Sequence, residues 1–271
     1  MVTLASQPDP AAADAPHRHR ELAESFGSDA ERYDRARPHY PAELAELVLA
    51  DLDGRSVLDV GIGTGISAER FAAAGCRVAG VEVDERMAEL ARRRGYPVEV
   101  ATFEQWDPNG RSYDLLISGQ TWHWIDPDAG AAKAAEVVRP DGRVALFWNV
   151  GDPVPEIAAA FAAVYRSLDT GLPFTPWARS AVRGYGPIVD KTTAGLDRSA
   201  AFGEVRQAEL PWQTVITKED WLDQVPTAGG HSRIPAAILD ELLTGMAAVI
   251  DRAGGSFQMN YTTLLLSAVR R

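Results

Sequence analysis

Cysteine is nearly absent from this sequence, which contains a single one, Cys76, among 271 residues. A disulfide within the chain needs two cysteines, and zinc sites of the CxxC type need more still. The sequence excludes both, so we expect no metal site and a protein that works in a reducing compartment.

Positive charge is also scarce, with 27 Lys and Arg against 38 Asp and Glu and a formal net charge of −11. The densest basic cluster, Arg92 to Arg94, falls at a predicted helix end, where cations suit the helix dipole. Nucleic acids and anionic membranes attract clustered positive charge, so we expect neither as a partner. Only three of the basic residues are lysine, a bias that indicates GC-rich coding and a bacterial source.

Long apolar runs are missing as well. No 18 consecutive apolar residues occur, and the first residues do not resemble a signal peptide. We therefore expect a cytoplasmic protein that acts on a small molecule as a monomer or homodimer. Residues 1–20, rich in Pro, Ala and Asp, contain HRHR at 17–20 and are expected to form a solvated tail rather than a metal site.

Strands and helices alternate through the first half of the chain. Helical segments between Arg20 and Ala50 are split by ARPHYP (36–41), and five strands with intervening helices then follow up to residue 150. Such alternation predicts an α/β fold with a doubly wound, mostly parallel sheet covered on both faces. The expected strands span 55–61, 76–83, 96–102, 112–119 and 143–150, and the expected helices span 67–75 and 84–95, with a helix and turn over 127–142.

The second half breaks this rhythm. Residues 151–203 are rich in Pro, Gly and aromatics, and we expect a cap over the substrate there. Residues 204–271 are expected to return to the sheet. The patterns predict helices near 154–168, 176–183, 218–225 and 235–254, and strands over 204–216 and 256–269.

Three glycines in VLDVGIGTGIS (57–67) mark the candidate ligand site. Gly61, Gly63 and Gly65 give G-x-G-x-G, whereas dinucleotide sites expect G-x-G-x-x-G. Asp59, at the tip of the first strand, would repel a pyrophosphate. It favours a cationic ligand, and S-adenosylmethionine (SAM) has an ammonium, a sulfonium and no phosphate.

A second acid, Glu82, lies 21 residues after Gly61 at the end of the second strand. That is the usual distance to an acid that binds ribose hydroxyls. Together the two acids and the glycine turn favour an adenosine without a phosphate. The alternative is that the glycines only permit a tight turn and that both acids are solvated strand ends.

Several motifs are similar to one enzyme family. VLDVGIGTGIS, GVEVDERM and YDLLISGQTWHWID resemble class I SAM-dependent methyltransferases, and FGSDAERYDRARPHYP resembles their small-molecule branch of ubiquinone- and trans-aconitate-methyltransferase-like enzymes. The similarity runs from about Phe26 to Asn149. It implies a seven-stranded Rossmann-like sheet (core 55–150) whose last strand is antiparallel and inserted between two others, a helical cap, and an N-terminal helical gate over 21–54.

The resemblance also implies roles for residues that match the family motifs. The three glycines and Asp59 would hold the methionine part of SAM, and Glu82 would bind the ribose. Phe103 would either stack on the ligand or fill space. The full set implied to bind SAM is Tyr33, Arg37, Asp59, Gly61, Gly63, Gly65, Glu82, Val83, Met87, Phe103, Glu104 and Gln120, with Arg37 a partner for the carboxylate.

The reacting centre is predicted after the fourth strand, in QTWHW (120–124). Methyl transfer is an in-line displacement that depends mostly on orientation. His123 is the candidate general base or substrate anchor, unless it is a packed histidine that steadies the loop. Trp122, Trp177 and His231 are candidate substrate contacts, with core packing for Trp177 and a surface turn for His231 as alternatives.

The leading hypothesis is therefore a SAM-dependent methyltransferase that modifies an O, N or C atom of a small organic molecule. Two alternatives stay open from the residues alone. One is a SAM-binding protein without catalysis, since the sequence shows binding residues better than catalytic ones. The other is an NAD(P)-dependent oxidoreductase, which would have to place a pyrophosphate beside Asp59.

Overall fold

A computed structural model describes Gly27 and residues 29–271 of the chain. The predicted tail, with its HRHR segment, and Phe26 lie outside the described residues.

Seven strands of the described chain form one sheet, in the order β3-β2-β1-β4-β5-β7-β6. Strands β1 to β5 pair in parallel, whereas β7 is antiparallel to both β5 and β6. This confirms the doubly wound, mostly parallel sheet with an antiparallel last strand inserted between two others. The strands are β1 (Ser56–Val60), β2 (Arg77–Glu82), β3 (Val98–Val100), β4 (Tyr113–Gly119), β5 (Val138–Pro153), β6 (Arg206–Thr217) and β7 (Ser256–Val269).

Helices cover both faces of the sheet. Before β1 come α1 (Ala30–Ala36) and α2 (Ala42–Leu49), which occupy the predicted gate region. Short 3₁₀ turns span Phe103–Gln105, Trp122–Trp124, Val225–Thr227 and His231–Arg233. The remaining helices are α3 (Ile66–Ala73), α4 (Glu85–Arg93), α5 (Pro127–Val137), α6 (Pro155–Arg166), α7 (Ala181–Ser199), α8 (Lys218–Gln224) and α9 (Ala236–Arg252).

The central strands are apolar on both sides because each side packs against helices. Leu58 and Leu116 face a cluster that includes residues of α5 and α7. Val57 and Ile117 face the opposite cluster, with residues of α2, α3 and α4. A third cluster joins α6, α8, α9 and the start of β7 around Phe161. Strand order reverses between β1 and β4, so the ends of these two strands open onto a crevice.

The predicted helix over 176–183 is wrong. Residues 176–179 precede α7, which begins at Ala181 and continues to Ser199. The strand residue Asp152 starts the helix, because its carboxylate accepts hydrogen bonds from the Ala181 N–H and the Ser180 hydroxyl, both at 2.8 Å. This cap comes from a different element 29 residues away, so the local pattern does not reveal it.

Strand β5 also differs from the expectation. Residues 139–142 (RPDG), expected as a turn, belong to the strand, which begins at Val138 opposite Tyr113. The register shifts after that pair, so the turn-forming residues make an irregularity within the strand. Their backbone is held from the other side, where Arg270 donates to the Gly142 carbonyl at 2.8 Å.

The predicted division into gate, core, cap and returning segment stays a prediction. Within the predicted cap, α7 packs against α5 and β5 and so covers one face of the sheet. Among the described helices, none combines the length and apolarity that crossing a bilayer requires. The described residues also contain no group of three or more His, Cys, Asp or Glu able to hold a metal ion.

Candidate active site

A cavity of about 220 Å³ lies at the carboxyl ends of β1 and β4, where the strand order reverses. Its wall is formed by residues between 33 and 40, the glycine turn, the end of β2 and the segment after β4. Tyr185 of α7 and Gly229 contribute from the second half of the chain. The predicted site residues that line it are Tyr33, Arg37, Gly61, Gly63, Glu82, Val83, Met87, Phe103, Glu104, Gln120 and His123.

The turn after β1 has a backbone that favours glycine. Gly61 has φ = +69° and Gly63 has φ = +57°, in the left-handed region that L-residues with side chains rarely adopt. A Cβ at Gly61 would also overlap with the side chain of Thr121. Thr121 donates its hydroxyl to the Gly61 carbonyl at 3.2 Å, so the turn and the segment after β4 lie in direct contact.

Asp59 lies beneath this turn and is fully buried. One carboxylate oxygen, Oδ2, accepts a hydrogen bond from the Ser67 hydroxyl at 2.5 Å. The other, Oδ1, has no hydrogen-bond partner among the described residues. The pKa of Asp59 is raised to about 7, chiefly by burial. The hydrogen bond from Ser67 lowers this pKa, and the nearby charge of Glu82 raises it. Ser67 lines the cavity and Asp59 does not. The carboxylate of Asp59 therefore lies behind the Ser67 side chain, to which it is hydrogen-bonded.

Glu82 ties the end of β2 to the glycine turn. Its Oε2 accepts from the Gly63 N–H at 2.9 Å, and its Oε1 accepts from the N–H groups of Val83 and Asp84 at 2.8 and 3.0 Å. Burial raises the pKa of Glu82, although these three hydrogen bonds oppose the shift. A carboxylate has about four acceptor positions, so room remains for a ligand hydroxyl.

The gate contributes a cation to the cavity. The Arg37 guanidinium lies 5.0 Å from the centre of the Tyr33 ring, a cation–π distance, and both residues line the cavity. Helix α1, which precedes Arg37, is held on its outer side by Asp223 of α8. The Nε atoms of Arg32 and Arg35 both lie 2.8 Å from Asp223 carboxylate oxygens.

An apolar wall follows β2 and β3. Val83, Met87 and Phe103 line the cavity, and Met87 and Phe103 are otherwise buried. Glu104 stands beside them and accepts a hydrogen bond from the Asp126 N–H at 3.3 Å. A flat apolar slot with one carboxylate at its edge suits a purine ring with an exocyclic amine.

His123 and Gln120 line the cavity after β4. The Trp148 indole N–H donates to His123 Nδ1 at 3.1 Å. Burial lowers the pKa of His123 to about 4, so the ring is neutral at physiological pH. Gln120 has φ = +57°, and its amide donates to the Asn149 carbonyl at 2.8 Å, which fixes the loop to the end of β5.

Comparison with known proteins identifies the family. A methyltransferase domain family matches residues 57–142. An uncharacterised methyltransferase of Mycobacterium tuberculosis is 37% identical over 227 residues, which cover 83% of this chain and 84% of that protein. The chain belongs to the class I SAM-dependent methyltransferases. Its cofactor is S-adenosylmethionine.

Further similarities agree with this family. A ubiquinone biosynthesis O-methyltransferase of Bordetella avium is 32% identical over 135 residues, 45% of this chain and 54% of that protein. The solved structure of a candidate type II methyltransferase of Anaeromyxobacter dehalogenans matches with a TM-score of 0.61 at 20% identity. That match covers 86% of this chain and 97% of the other and supports the fold.

The methyltransferase cavity suits SAM on the chemistry of its residues. The buried Oδ1 of Asp59, which no group of Gly27 or residues 29–271 contacts by a hydrogen bond, calls for a positive charge or a donor nearby, and SAM carries an ammonium and a sulfonium. Glu82 offers acceptors for ribose hydroxyls, and the Val83, Met87 and Phe103 wall suits an adenine. The oxidoreductase and non-catalytic hypotheses receive no support from the relatives.

Besides Asp59, four of the predicted site residues do not line the cavity of the methyltransferase: Gly65, Trp122, Trp177 and His231. Gly65 has φ = +98° and caps α3. Trp122 is buried against Phe103, with ring centres 5.9 Å apart, in the core below the cavity. Trp177 packs beside Phe161 and donates its indole N–H to the Gly151 carbonyl at 3.1 Å.

His231 is buried as well, and its Nε2 lies 2.6 Å from the Tyr165 hydroxyl. The loop before it still reaches the cavity through Gly229. In this position the His231 ring fastens that loop to α6, because the ring and the Tyr165 hydroxyl satisfy each other away from the cavity.

Sequence reasoning missed several residues of the methyltransferase cavity. Ser67 has a local signal, since it lies in the first turn of α3, eight residues after Asp59 and close enough for the two to meet. Tyr185 has none, because it lies on α7 beyond the helix over 176–183 that the pattern predicts. The missed cavity residues include Tyr40, Ser67, Asn149 and Tyr185, whereas Thr121 and Trp124 belong to the predicted QTWHW segment. Trp148, which was also missed, lies behind His123.

Proposed function

We propose that this methyltransferase transfers the methyl group of SAM to an O, N or C atom of a small organic molecule, in the cytoplasm of a bacterium, as a monomer or homodimer. The observation that carries the SAM half of this proposal is the buried Oδ1 of Asp59, which has no partner in the described part of the chain and lies beneath a left-handed glycine turn. The cavity supports a small acceptor, because it is bounded on one side by Tyr33 and Arg37 and on another by Tyr185.

The proposed binding roles divide the cavity into three parts. Arg37 and Tyr33 bind the SAM carboxylate, and Asp59 attracts the ammonium from behind Ser67, with the Gly61–Gly65 turn shaping the methionine site. Glu82 binds the ribose. Val83, Met87, Phe103 and Glu104 hold the adenine, and Gln120 with His123 borders the methyl acceptor.

In this arrangement the protein contributes chiefly by positioning. Bound SAM supplies a methyl group on a cationic sulfur, and the chain has to hold an acceptor lone pair in line with it. Correct orientation can supply roughly 7–11 kcal/mol of the barrier. The Gln120–Asn149 and Thr121–Gly61 contacts hold the loop that carries His123, and the gate excludes water.

Calorimetry with SAM and with its demethylated product tests the cofactor half. We expect binding of both, and absence of binding at millimolar ligand with folded protein would remove the proposal. Incubation with methyl-labelled SAM and a bacterial extract tests the acceptor half. Label in small molecules supports it, whereas label confined to protein or nucleic acid contradicts it.

A further inference from the structure

The two ring nitrogens of His123 have different surroundings. Nδ1 lies 3.1 Å from the indole Nε1 of Trp148, a side chain with 0% exposure on β5. For Nε2, no hydrogen-bond partner occurs among Gly27 and residues 29–271, although His123 lines the cavity. One edge of the ring is thus fixed to the core, and the other is available to a ligand.

The contact with Trp148 determines which nitrogen carries the proton. An indole N–H can only donate, so Nδ1 has to accept and has to be unprotonated. A neutral imidazole then carries its single hydrogen on Nε2. Either the other tautomer or an imidazolium would set two N–H groups against each other at this contact.

We propose that Trp148 locks His123 in the Nε2–H tautomer, so that His123 donates a hydrogen bond to the methyl acceptor and takes no proton from it. This inference rests on the proposed function and decides between the two roles, general base and anchor, that the sequence leaves open. Trp148 is a positioning residue, since it acts on the reaction only through His123.

The electrostatic surroundings of the ring agree with a neutral donor. Burial alone lowers the pKa of His123, with no charged group contributing. The titratable side chains that share the cavity are Tyr33 from α1, Arg37 and Tyr40 between α1 and α2, Glu82 from β2, Glu104 from the turn after β3 and Tyr185 from α7. Among the described residues, none of these groups forms a hydrogen bond or an ion pair with the His123 ring, whose neighbours are Trp124 and Trp148.

A donor at this position narrows the substrate class. In the transfer, a lone pair of the acceptor forms the bond to the methyl carbon, the S–C bond breaks, and its electron pair stays on sulfur. A hydrogen-bond donor favours the ionised form of an acid. We therefore expect an oxygen acid that ionises at or below neutral pH, such as a carboxylic acid or an acidic enol or phenol, whose proton leaves to water. Aliphatic alcohols, which need a base, are excluded.

Nitrogen NMR of the histidine rings in the wild-type protein tests the tautomer directly. The resonance of His123, assigned by its loss in His123→Gln, is expected to show a protonated Nε2 and an unprotonated Nδ1, unchanged between pH 5.5 and 8. A protonated Nδ1, or titration near the ordinary histidine pKa, would overturn the proposal. This readout needs neither SAM nor substrate, so it is independent of the proposed function.

Trp148→Phe keeps an aromatic ring but removes the donor. In this variant we expect His123 to populate both tautomers or to titrate at a higher pH than in the wild type. A spectrum of His123 identical to that of the wild type would show that Trp148 does not set the tautomer.

Amide replacements of His123 then separate a donor from a base. The amide of Gln reaches about as far as Nε2, and that of Asn reaches about as far as Nδ1. The rate of label transfer from saturating SAM to small molecules in an extract is measured for both variants. We expect the rate of His123→Gln to stay within about tenfold of the wild-type rate. The rate of His123→Asn should fall well below that. If His123 is a base, the rates of both variants should fall alike, by about 10²–10⁴-fold, and this would overturn the proposal. The affinity for SAM, measured by calorimetry, tests the proposed function separately.

Discussion

At the scale of single residues, Asp59 couples ligand binding to pH. Its pKa in the folded protein is about 7, above the ordinary 3.8, because of burial. The folded state therefore holds the proton more tightly than the unfolded chain does. The resulting contribution to stability is full below about pH 4 and is lost as the pH rises through 7. A cationic ligand has the opposite preference, because it binds best when Asp59 is ionised.

We expect SAM to bind about 15-fold more tightly at pH 7 than at pH 5.5, since the fraction of ionised Asp59 rises by about that factor when its pKa is about 7. Calorimetry at the two pH values measures the change. Asp59→Asn is the control: its affinity should be lower by roughly 1.5–3 kcal/mol, the scale of a hydrogen bond to a charged group, and should not vary over this pH range. The same pH dependence in the variant would assign it to another group.

Gly61 and Gly75 have similar backbone angles, so comparing them separates the cost of backbone strain from the cost of a steric clash with a neighbouring side chain. Gly61 has φ = +69° and faces Thr121, whereas Gly75 has φ = +83° with open space around it. We expect Gly61→Ala to destabilise the protein by about 1–3 kcal/mol and Gly75→Ala by less, since the latter carries only the backbone cost. Urea unfolding measures both. Equal losses would mean that Thr121 adjusts freely.

The sequence predicted individual site residues best where the residues that meet in the site are close together in the chain. The glycine turn and Glu82 belong to one βαβ unit, so local pattern places them together, and both line the cavity. The His123–Trp148 pair joins the segment after β4 to β5 across 25 residues. Strand alternation predicts that Trp148 is buried, but not which polar atom its indole meets.

At the scale of elements, α7 forms against its own sequence propensity. It contains Gly184, Gly186 and Pro187, which weaken an isolated helix. Tertiary contacts outweigh this cost: Asp152 caps the first turn, and Leu196 is buried against the sheet cluster. Helices in proteins draw most of their stability from such packing, which explains why the pattern located the start incorrectly.

Removing the Asp152 cap should loosen the start of α7. We expect Asp152→Ala to cost about 1 kcal/mol, the usual value for a helix N-cap, with faster hydrogen exchange in the first turn of α7. Asp190→Ala, at an exposed position of the same helix, is the matched control and should change stability little. Equal protection of the first turn in both variants would argue against the cap.

The gate helix α1 is fastened by charges rather than by a buried face, since none of its residues is buried. Asp223→Asn removes the negative charge that faces both Arg32 and Arg35, although Arg32 keeps its hydrogen bonds to the backbone carbonyls of Leu222 and Asp223. These pairs are partly exposed, so we expect only a small loss of stability, seen as faster exchange over 30–36 and weaker SAM binding. Glu219→Gln, which makes the same charge change on α8, should leave exchange over 30–36 unaltered. If both variants behave alike, net charge rather than these pairs is responsible.

At the scale of the whole molecule, ligand binding should raise global stability. SAM at 100 times its dissociation constant adds about 2.7 kcal/mol to the free energy of unfolding, so the thermal midpoint should rise by roughly 5 °C or more. NADH at the same concentration should not shift it, because its pyrophosphate would meet Asp59. A larger shift with NADH than with SAM would contradict the cavity chemistry described above.

The parallel part of the sheet was predictable from local periodicity, whereas the antiparallel, inserted position of the last strand was expected only from the family resemblance. The alternation up to residue 150 predicts the parallel strands, and SFQMNYTTLLLSAV predicts β7 over the bounds that the structure shows. The long-range features were not predictable from pattern. The cavity wall supplied by Tyr185 and Gly229 depends on how the second half of the chain packs, and those contacts have no local signature.

The place of β7 has a consequence for biosynthesis. This strand is made after all the others, yet it pairs with β5 over eleven residue pairs and with β6 over twelve. Until it leaves the ribosome, β5 and β6 each carry a bare edge able to recruit a foreign strand. The nascent protein is thus expected to depend on chaperones until β7 has been made, and a chain cut before Ser256 should aggregate rather than fold.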